Sequence, residues 1–317
     1  MRTLVLAAGL SLSACVGPRE AVMLPAAPFV VVLGTAQDGG LPQLACRGEN
    51  CRRAREEPGF RRLVTSLLLV DPRSGQRWLF DATPDLPEQL ERSEAVAPRA
   101  PAVGRPALFD GVFLTHAHVG HYSGLLQLGR EAYGSEAQLV HASPRMTAFL
   151  AENGPWGLLI EAGHLRVEPM APGEVVELAP DLRVRALAVP HRDEYSDTLA
   201  FVIDGPRRSC LYLPDVDKWA KLEPPIEALL AEVDLALVDG SFFSAGELPG
   251  RSMEEIPHPF VVESLERFAP LPASERAKLI FTHLNHSNPA CDPGGPEAVQ
   301  VRAAGCRVAS EGLLLEL

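Results

Sequence analysis

Three histidines fall within six positions in Thr115-His116-Ala117-His118-Val119-Gly120-His121. In an extended segment the side chains at i and i+2 point the same way, so His116 and His118 can meet one ion. His121 follows a turn of the chain and would face a neighbouring point. Imidazole is a common ligand of zinc, iron, copper and nickel. An isolated histidine is ordinarily a core or surface residue. Three this close, where an apolar strand gives way to a helix, point instead to a metal centre.

The elements that must hold these histidines follow from hydropathy. Phe29 to Gly34 reads as a buried strand running on to a turn at Asp38-Gly39-Gly40. Val64 to Val70 and Arg77 to Asp81 read as strands around Pro72-Arg73-Ser74-Gly75. Residues 85 to 93 are helical in pattern, and Ala95 to Pro106 is a surface loop rich in Ala and Pro. Phe109 to Thr115 is a buried strand leading into the histidines, and a helix is expected over Gly120 to Tyr133. A strand at Gln138 to His141 and a helix at Pro144 to Glu152, with proline at its start, follow.

The second half repeats the alternation. Strands are expected at Val175 to Leu178, Val184 to Val189, Thr198 to Ile203, Cys210 to Leu213, Leu235 to Val238 and Lys278 to Thr282. Helices are expected at Glu227 to Glu232, Pro259 to Phe268 and Gly295 to Ala303, and Val308 to Leu315 closes as one or two strands. Two strand clusters interleaved with helices imply two packed sheets with helices outside. No internal repeat is visible and no linker divides the halves, so residues 29–317 are expected to form one domain.

The histidine stretch resembles the His-x-His-x-Asp-His signature of the metallo-β-lactamase superfamily, and further matches follow in the same chain order. Asp81 in Leu79-Phe80-Asp81-Ala82-Thr83 resembles the acidic residue that ends an early strand. His191 in Val189-Pro190-His191 resembles the third histidine of the first metal. Asp215 in Tyr212-Leu213-Pro214-Asp215 resembles the bridging carboxylate, and His283 in Phe281-Thr282-His283 the late histidine of the second metal. Leu33 to Gln43, Asp239-Gly240-Ser241-Phe242-Phe243 and Asn285-His286-Ser287-Asn288-Pro289 are similar to the pyrroloquinoline quinone biosynthesis protein B group. The resemblance implies an α/β protein: an αββα sandwich of two mixed β-sheets flanked by helices. It implies metal ligation by His116, His118, His121, His191, Asp215 and His283, with one or two Zn2+ ions, or Fe or Mn in their place. Asp81 would accept the N–H of a ligating ring.

One position departs from the signature. Gly120 stands where the superfamily carries the aspartate that ligates the second metal. Water or another acid fills the gap, or a single ion rests on His116, His118, His191 and Asp215, or hydrolysis is lost. In a hydrolytic reading the metal lowers the pKa of water towards ~7, and an acid protonates the leaving group. Asp215, His286 and Asp193 are the candidate catalytic residues, with His258 a looser one. Asp193 reads equally as a plain loop carboxylate, and His286 as a group that orients the His283 loop. The Ala36 to Gly40 turn is expected at the rim of the pocket, and Tyr195 and Ser196 near substrate. His141, His164, Trp156 and Trp219 read as structural.

Charge and export bound the rest. The net charge of -12 argues against a general grip on nucleic acid. Arg52, Arg53, Arg55, Arg61 and Arg62 are interrupted by Glu56 and Glu57 and read as a solvated face. Residues 1–14 read as a lipoprotein signal peptide cleaved before Cys15, with residues 15–28 a lipidated tether. The expected setting is a membrane reached through that anchor, on the periplasmic side of a bacterial outer membrane. Cys46 and Cys51 read as a small disulfide or free thiols, because a structural zinc would need two further ligands. The expected function is a metallo-hydrolase of a small ester, amide or phosphodiester. The alternatives are an iron-dependent oxygenase related to quinone cofactor biosynthesis, or a non-catalytic metal-binding protein.

Overall fold

The computed structural model describes residues 24–99, 102–248 and 256–317. The expected signal peptide and the lipid attachment at Cys15 lie outside the described residues. Six strands come first: β1 (Phe29–Gly34), β2 (Ser66–Asp71), β3 (Gln76–Phe80), β4 (Gly111–Phe113), β5 (Gln138–Ala142) and β6 (Leu165–Pro169). Seven more follow: β7 (Val175–Ala179), β8 (Leu182–Val189), β9 (Thr198–Asp204), β10 (Ser209–Leu213), β11 (Leu235–Asp239), β12 (Leu279–Thr282) and β13 (Arg307–Val308). β14 (Leu314–Glu316) is the last.

These strands form two seven-stranded sheets, ordered β14-β1-β2-β3-β4-β5-β6 and β13-β12-β11-β10-β9-β8-β7. The first sheet pairs antiparallel from β14 to β3 and parallel from β3 to β6. The second, taken from β7, pairs antiparallel to β10 and parallel from there to β13. The two halves therefore share one topology. It follows that β1, β3 and β4 point the same way in one sheet, and β8, β10, β11 and β12 do so in the other.

Alternation along buried strands builds three apolar layers. Val30 and Val32 of β1 face the second sheet, packing in one cluster with Leu67, Phe80, Phe113, Phe201 and Tyr212. Their neighbours Phe29, Val31 and Leu33 face outward among Leu86, Leu125, Met146 and Leu150, which lie on or beside the outer helices. The second sheet is covered likewise, with Leu211, Val238 and Phe281 packed against Ile226, Leu230, Leu265 and Phe268. Both faces of β1 are thus buried, which is why its sequence is a continuous apolar run rather than an alternating one.

At four places the local structure alters or adds to the sequence reading. The helix expected over Gly120 to Tyr133 is only Val119–Tyr122, continued by a 3₁₀ segment over Ser123–Leu128. Gly124 is pressed against the strand-end backbone, where an added Cβ would stand 2.1 Å from the Thr83 carbonyl oxygen. The closing segment splits between the sheets, β13 joining the second and β14 crossing to pair with β1. The arginine-rich stretch forms a helix, Glu49–Glu56, that buries Cys51 and Ala54. Helix Trp156–Glu161 and strand β6 had no counterpart in the sequence reading. At the far end of the chain, the Leu317 N–H donates to the Pro28 carbonyl at 2.8 Å. Among the described residues no helix is long and apolar enough to cross a membrane.

Phe201 is fully buried between the sheets, its ring 5.6 Å from both Phe80 and Phe113. Phe201→Ala is expected to cost about 3–5 kcal/mol in denaturant unfolding. Leu44, 93% exposed, should tolerate alanine within about 0.5 kcal/mol.

Candidate metal centre

The strands that share a direction end together, and their C-terminal ends carry the polar residues. β3 runs into Asp81, β4 into Thr115-His116, β8 into Pro190-His191, β10 into Pro214-Asp215, and β12 into His283, while β11 ends at Asp239. Asp81 and His283 hold positive φ angles of 65° and 60°, a conformation that costs a side chain-bearing residue about 1–2 kcal/mol. Each is over-determined by its neighbours. Asp81 Oδ1 accepts from the Thr115 N–H at 2.8 Å and the Thr115 hydroxyl at 2.9 Å, and Oδ2 accepts from Tyr212 at 3.1 Å.

Two groups of ligand atoms emerge. His116, His118, His191 and Asp215 form one, and Asp38, His121 and His283 the other. Within the first, His116 Nε2 and His118 Nδ1 lie 2.7 Å apart, and His191 Nε2 and His116 Nε2 are each 3.5 Å from an Asp215 oxygen. Asp215 also faces the second group, with Oδ2 3.2 Å from His121 Nε2 and 3.1 Å from His283 Nε2. All six ligand residues expected from the sequence are therefore brought together, with Asp215 between the two groups.

The rings are held from behind, as metal-ligating histidines usually are. His121 Nδ1 donates to Asp81 Oδ2 at 2.8 Å. The Thr115 hydroxyl stands 3.0 Å from His116 Nδ1, and the Ser241 hydroxyl 2.9 Å from His283 Nδ1. Glu194 reaches His118 Nε2 at 3.2 Å. In each case the opposite nitrogen faces the centre. His121 Nε2, His191 Nε2, His283 Nε2, Asp215 Oδ1 and Asp38 Oδ1 are buried without a hydrogen-bond partner. Buried polar atoms are rarely left unpaired, and five converging ones fit a metal ion.

The charge states agree with that fit. Burial, then the charge of His121, pushes His116 well below the ordinary imidazole value, and burial lowers His191 and His283. Burial opposes charge on Asp215, yet His283, His191 and His121 hold its carboxyl well below the usual range. Neutral imidazole and ionised carboxylate are the forms that bind metal. His121 is the exception. Burial lowers it, but Asp81, Asp215 and Asp38 overcome that and raise it well above its ordinary value. This acidic cluster collects a proton where a dication would supply the charge instead.

A further histidine stands at the edge. His258 Nδ1 donates to Asp239 Oδ2 at 2.8 Å and lies 3.4 Å from Asp215 Oδ1. Burial works against its charge, but Asp239 and then Asp215 raise it to about 9. A cavity of about 350 Å³ opens beside it, bordered by Gln37, Arg192, Phe242, Asn285 and His286.

Several sequence readings are corrected here. His286, read as a candidate proton donor, has its Nδ1 3.4 Å from Cys46 Sγ and 3.5 Å from Cys51 Sγ. Both thiols are free, and with His286 they form a third group able to hold an ion. The thiols are thus in one of the two states expected from the sequence, and the fold brings one of the two further ligands that a structural zinc would need. Asp193 is exposed and belongs to none of the ligand groups; its backbone carbonyl accepts from Arg145, and its neighbour Glu194 is the residue that reaches His118. Ser196 is buried, its hydroxyl accepting from the Ala117 N–H, so it braces the histidine segment rather than facing substrate. Glu194, Asp239 and Ser241 were not identified as site residues from the sequence.

The fold and these ligands define a class. The beta-lactamase superfamily domain model matches residues 76–284, and the chain belongs to the metallo-β-lactamase superfamily. It is 30% identical over 310 residues to coenzyme PQQ synthesis protein B of Methylobacterium radiotolerans, covering 91% of this chain and 99% of that one. The crystal structure of Zn2+-bound PqqB from Methylobacterium extorquens superposes with a TM-score of 0.77 at 24% identity, over 91% of this chain and 100% of the other. A diphosphatase from the PhnP family gives 0.62 at 20% identity, over 92% and 97%. Within the superfamily, the chain falls in the group of the coenzyme PQQ synthesis protein B.

Asp81→Ala removes the acceptor shared by Thr115, Tyr212 and His121. It is expected to weaken metal binding about 10–100-fold, the usual cost of losing such a partner, measured by titration calorimetry with zinc. An unchanged affinity would refute the orienting role.

Proposed function

We propose that this protein is a metal-dependent hydrolase of a small ester, amide or phosphodiester, with zinc as its resident ion. The observation that carries this reading is one buried carboxylate, Asp215, shared by two sets of inward-facing ligand atoms, with His258, hydrogen-bonded to Asp239, beside it. The Zn2+-bound structure of the similar PqqB supports the choice of metal. A bound dication would polarise the substrate oxygen and acidify a water molecule. His116, His118, His191 and Asp215 would hold one ion, and His121 and His283 face the place of a second.

The chain's own residues supply the proton chemistry. Asp239 accepts from His258 Nδ1 and raises the ring above its ordinary value, to about 9. Nε2 is then the atom left to donate to a departing oxygen. Arg192, which meets Glu194 at 3.2 Å, borders the same cavity and brings a cation to the substrate end of the site. Among the three substrate classes this favours the phosphodiester, which is anionic before and during reaction. An iron-dependent oxidation is the second reading, and the likeness to a coenzyme PQQ synthesis protein over 91% of the chain is what favours it.

Purified full-length protein should hydrolyse an activated phosphodiester such as bis(4-nitrophenyl) phosphate, lose that activity on chelation and regain it with zinc. Metal-loaded protein that turns over no phosphodiester, ester or amide would sink the proposal. Bound iron together with oxygen consumption would favour the second reading. His258→Ala should lower kcat about 10²–10³-fold for substrates with alkoxide leaving groups, as expected for loss of a general acid. The loss should be less than about tenfold for 4-nitrophenolate, which departs without a proton. Equal losses on both would exclude proton donation by His258.

A further inference from the structure

The carboxylate missing at Gly120 has a physical replacement. A Cβ built on Gly120 would lie 2.1 Å from Asp38 Oδ1, 2.7 Å from Asp38 Cα and 2.9 Å from Asp38 Cγ. The room an aspartate at 120 would need is thus already filled by the carboxyl group of another element. Asp38 Oδ1 stands 3.4 Å from His121 Nε2 and groups with His121 and His283 as a ligand set. Asp38 Oδ1, His121 Nε2 and His283 Nε2 are all buried and unpartnered. Three such atoms, one anionic and two imidazole, make a facing set for a dication.

The turn that carries Asp38 is held to the segment that carries His283. Ala36 bridges both Val64 and Leu284. The Gln37 N–H donates to the Leu284 carbonyl at 2.9 Å, and the Leu284 N–H to the Thr35 carbonyl at 2.8 Å. The turn closes with the Gly40 N–H on the Gln37 carbonyl at 2.8 Å, Gly40 taking a φ of +66°. Asp38 is therefore fixed relative to His283 by backbone, not by a flexible side chain alone.

We infer that Asp38 is the carboxylate ligand of the second metal ion, occupying from the β1 turn the place that the superfamily signature gives to the residue before the third histidine. With the turn where it lies, a side chain at 120 would meet both the carboxyl group and the Cα of Asp38, so this placement of Asp38 requires glycine at 120. The inference rests on the metal-centre reading above and makes the centre dinuclear.

The test is metal content, read independently of catalysis. Full-length protein, Asp38→Ala and Asp38→Asn would be dialysed against zinc and analysed for ions per chain, with unfolding curves of the metal-free forms as a check on folding. Asp38→Ala should hold one zinc fewer per chain than the parent, whatever Cys46, Cys51 and His286 retain. Asp38→Asn, which keeps the shape and loses the charge, should weaken that same ion at least ~10-fold. An unchanged zinc count in Asp38→Ala overturns the inference while leaving a metal-dependent hydrolase intact. A parent protein that binds no zinc at all overturns both readings.

Discussion

A carboxylate cannot be taken out of water alone, and Asp215 is taken fully out of water. Its two oxygens meet His116, His121, His191, His258 and His283, all between 3.1 and 3.5 Å. Removing an anion from solvent costs several kcal/mol unless positive charge accompanies it. Five imidazoles from both halves of the chain are therefore drawn to one point, and most of them are in turn fixed from behind by Thr115, Asp81, Asp239 or Ser241. The arrangement is satisfied only in part by the protein itself, since several ligand atoms find no partner among its own groups. That shortfall is the structural mark of a place built around a cation.

The shared topology of the two sheets explains how the halves can meet there. Strands of like direction end on one edge of each sheet, and the sheets stack so that those edges coincide. Asp38, Asp81, His116, His118 and His121 come from the first half, and His191, Asp215, Asp239, His258 and His283 from the second. The bond from Tyr212 to Asp81 crosses between them at the floor of the site. The packed aromatic layer of Phe80, Phe113, Phe201 and Tyr212 lies beneath, so the ligands stand on the closely packed core between the sheets.

Much of this was legible in the sequence, and the reasons are local. β1 and the helix Pro144–Glu152 have the expected bounds because a continuous apolar run and a proline at a helix start are unambiguous signals. His116, His118 and His121 declare themselves by spacing, and His191, Asp215 and His283 through the resemblance to the superfamily's ordered motifs. What escaped depends on contacts between distant positions. Gly120 reads as a defect until Asp38 is seen in its space. Cys46 and Cys51 lack a third ligand until the fold delivers His286 from the β12 end. Asp239 is a strand-end acid until His258 packs on it. The helix after His121 is cut short because Gly124 must press against Thr83, a constraint with no trace in periodicity.

The hydrogen bond between Pro28 and Leu317 carries a directional consequence. It fastens the two ends of the domain together at the start of β1, whereas the ligands gather past that strand's other end. Six residues of strand separate the two, roughly 20 Å at the usual rise. Pro28 and Leu317 therefore stand at the end of β1 remote from the metal centre.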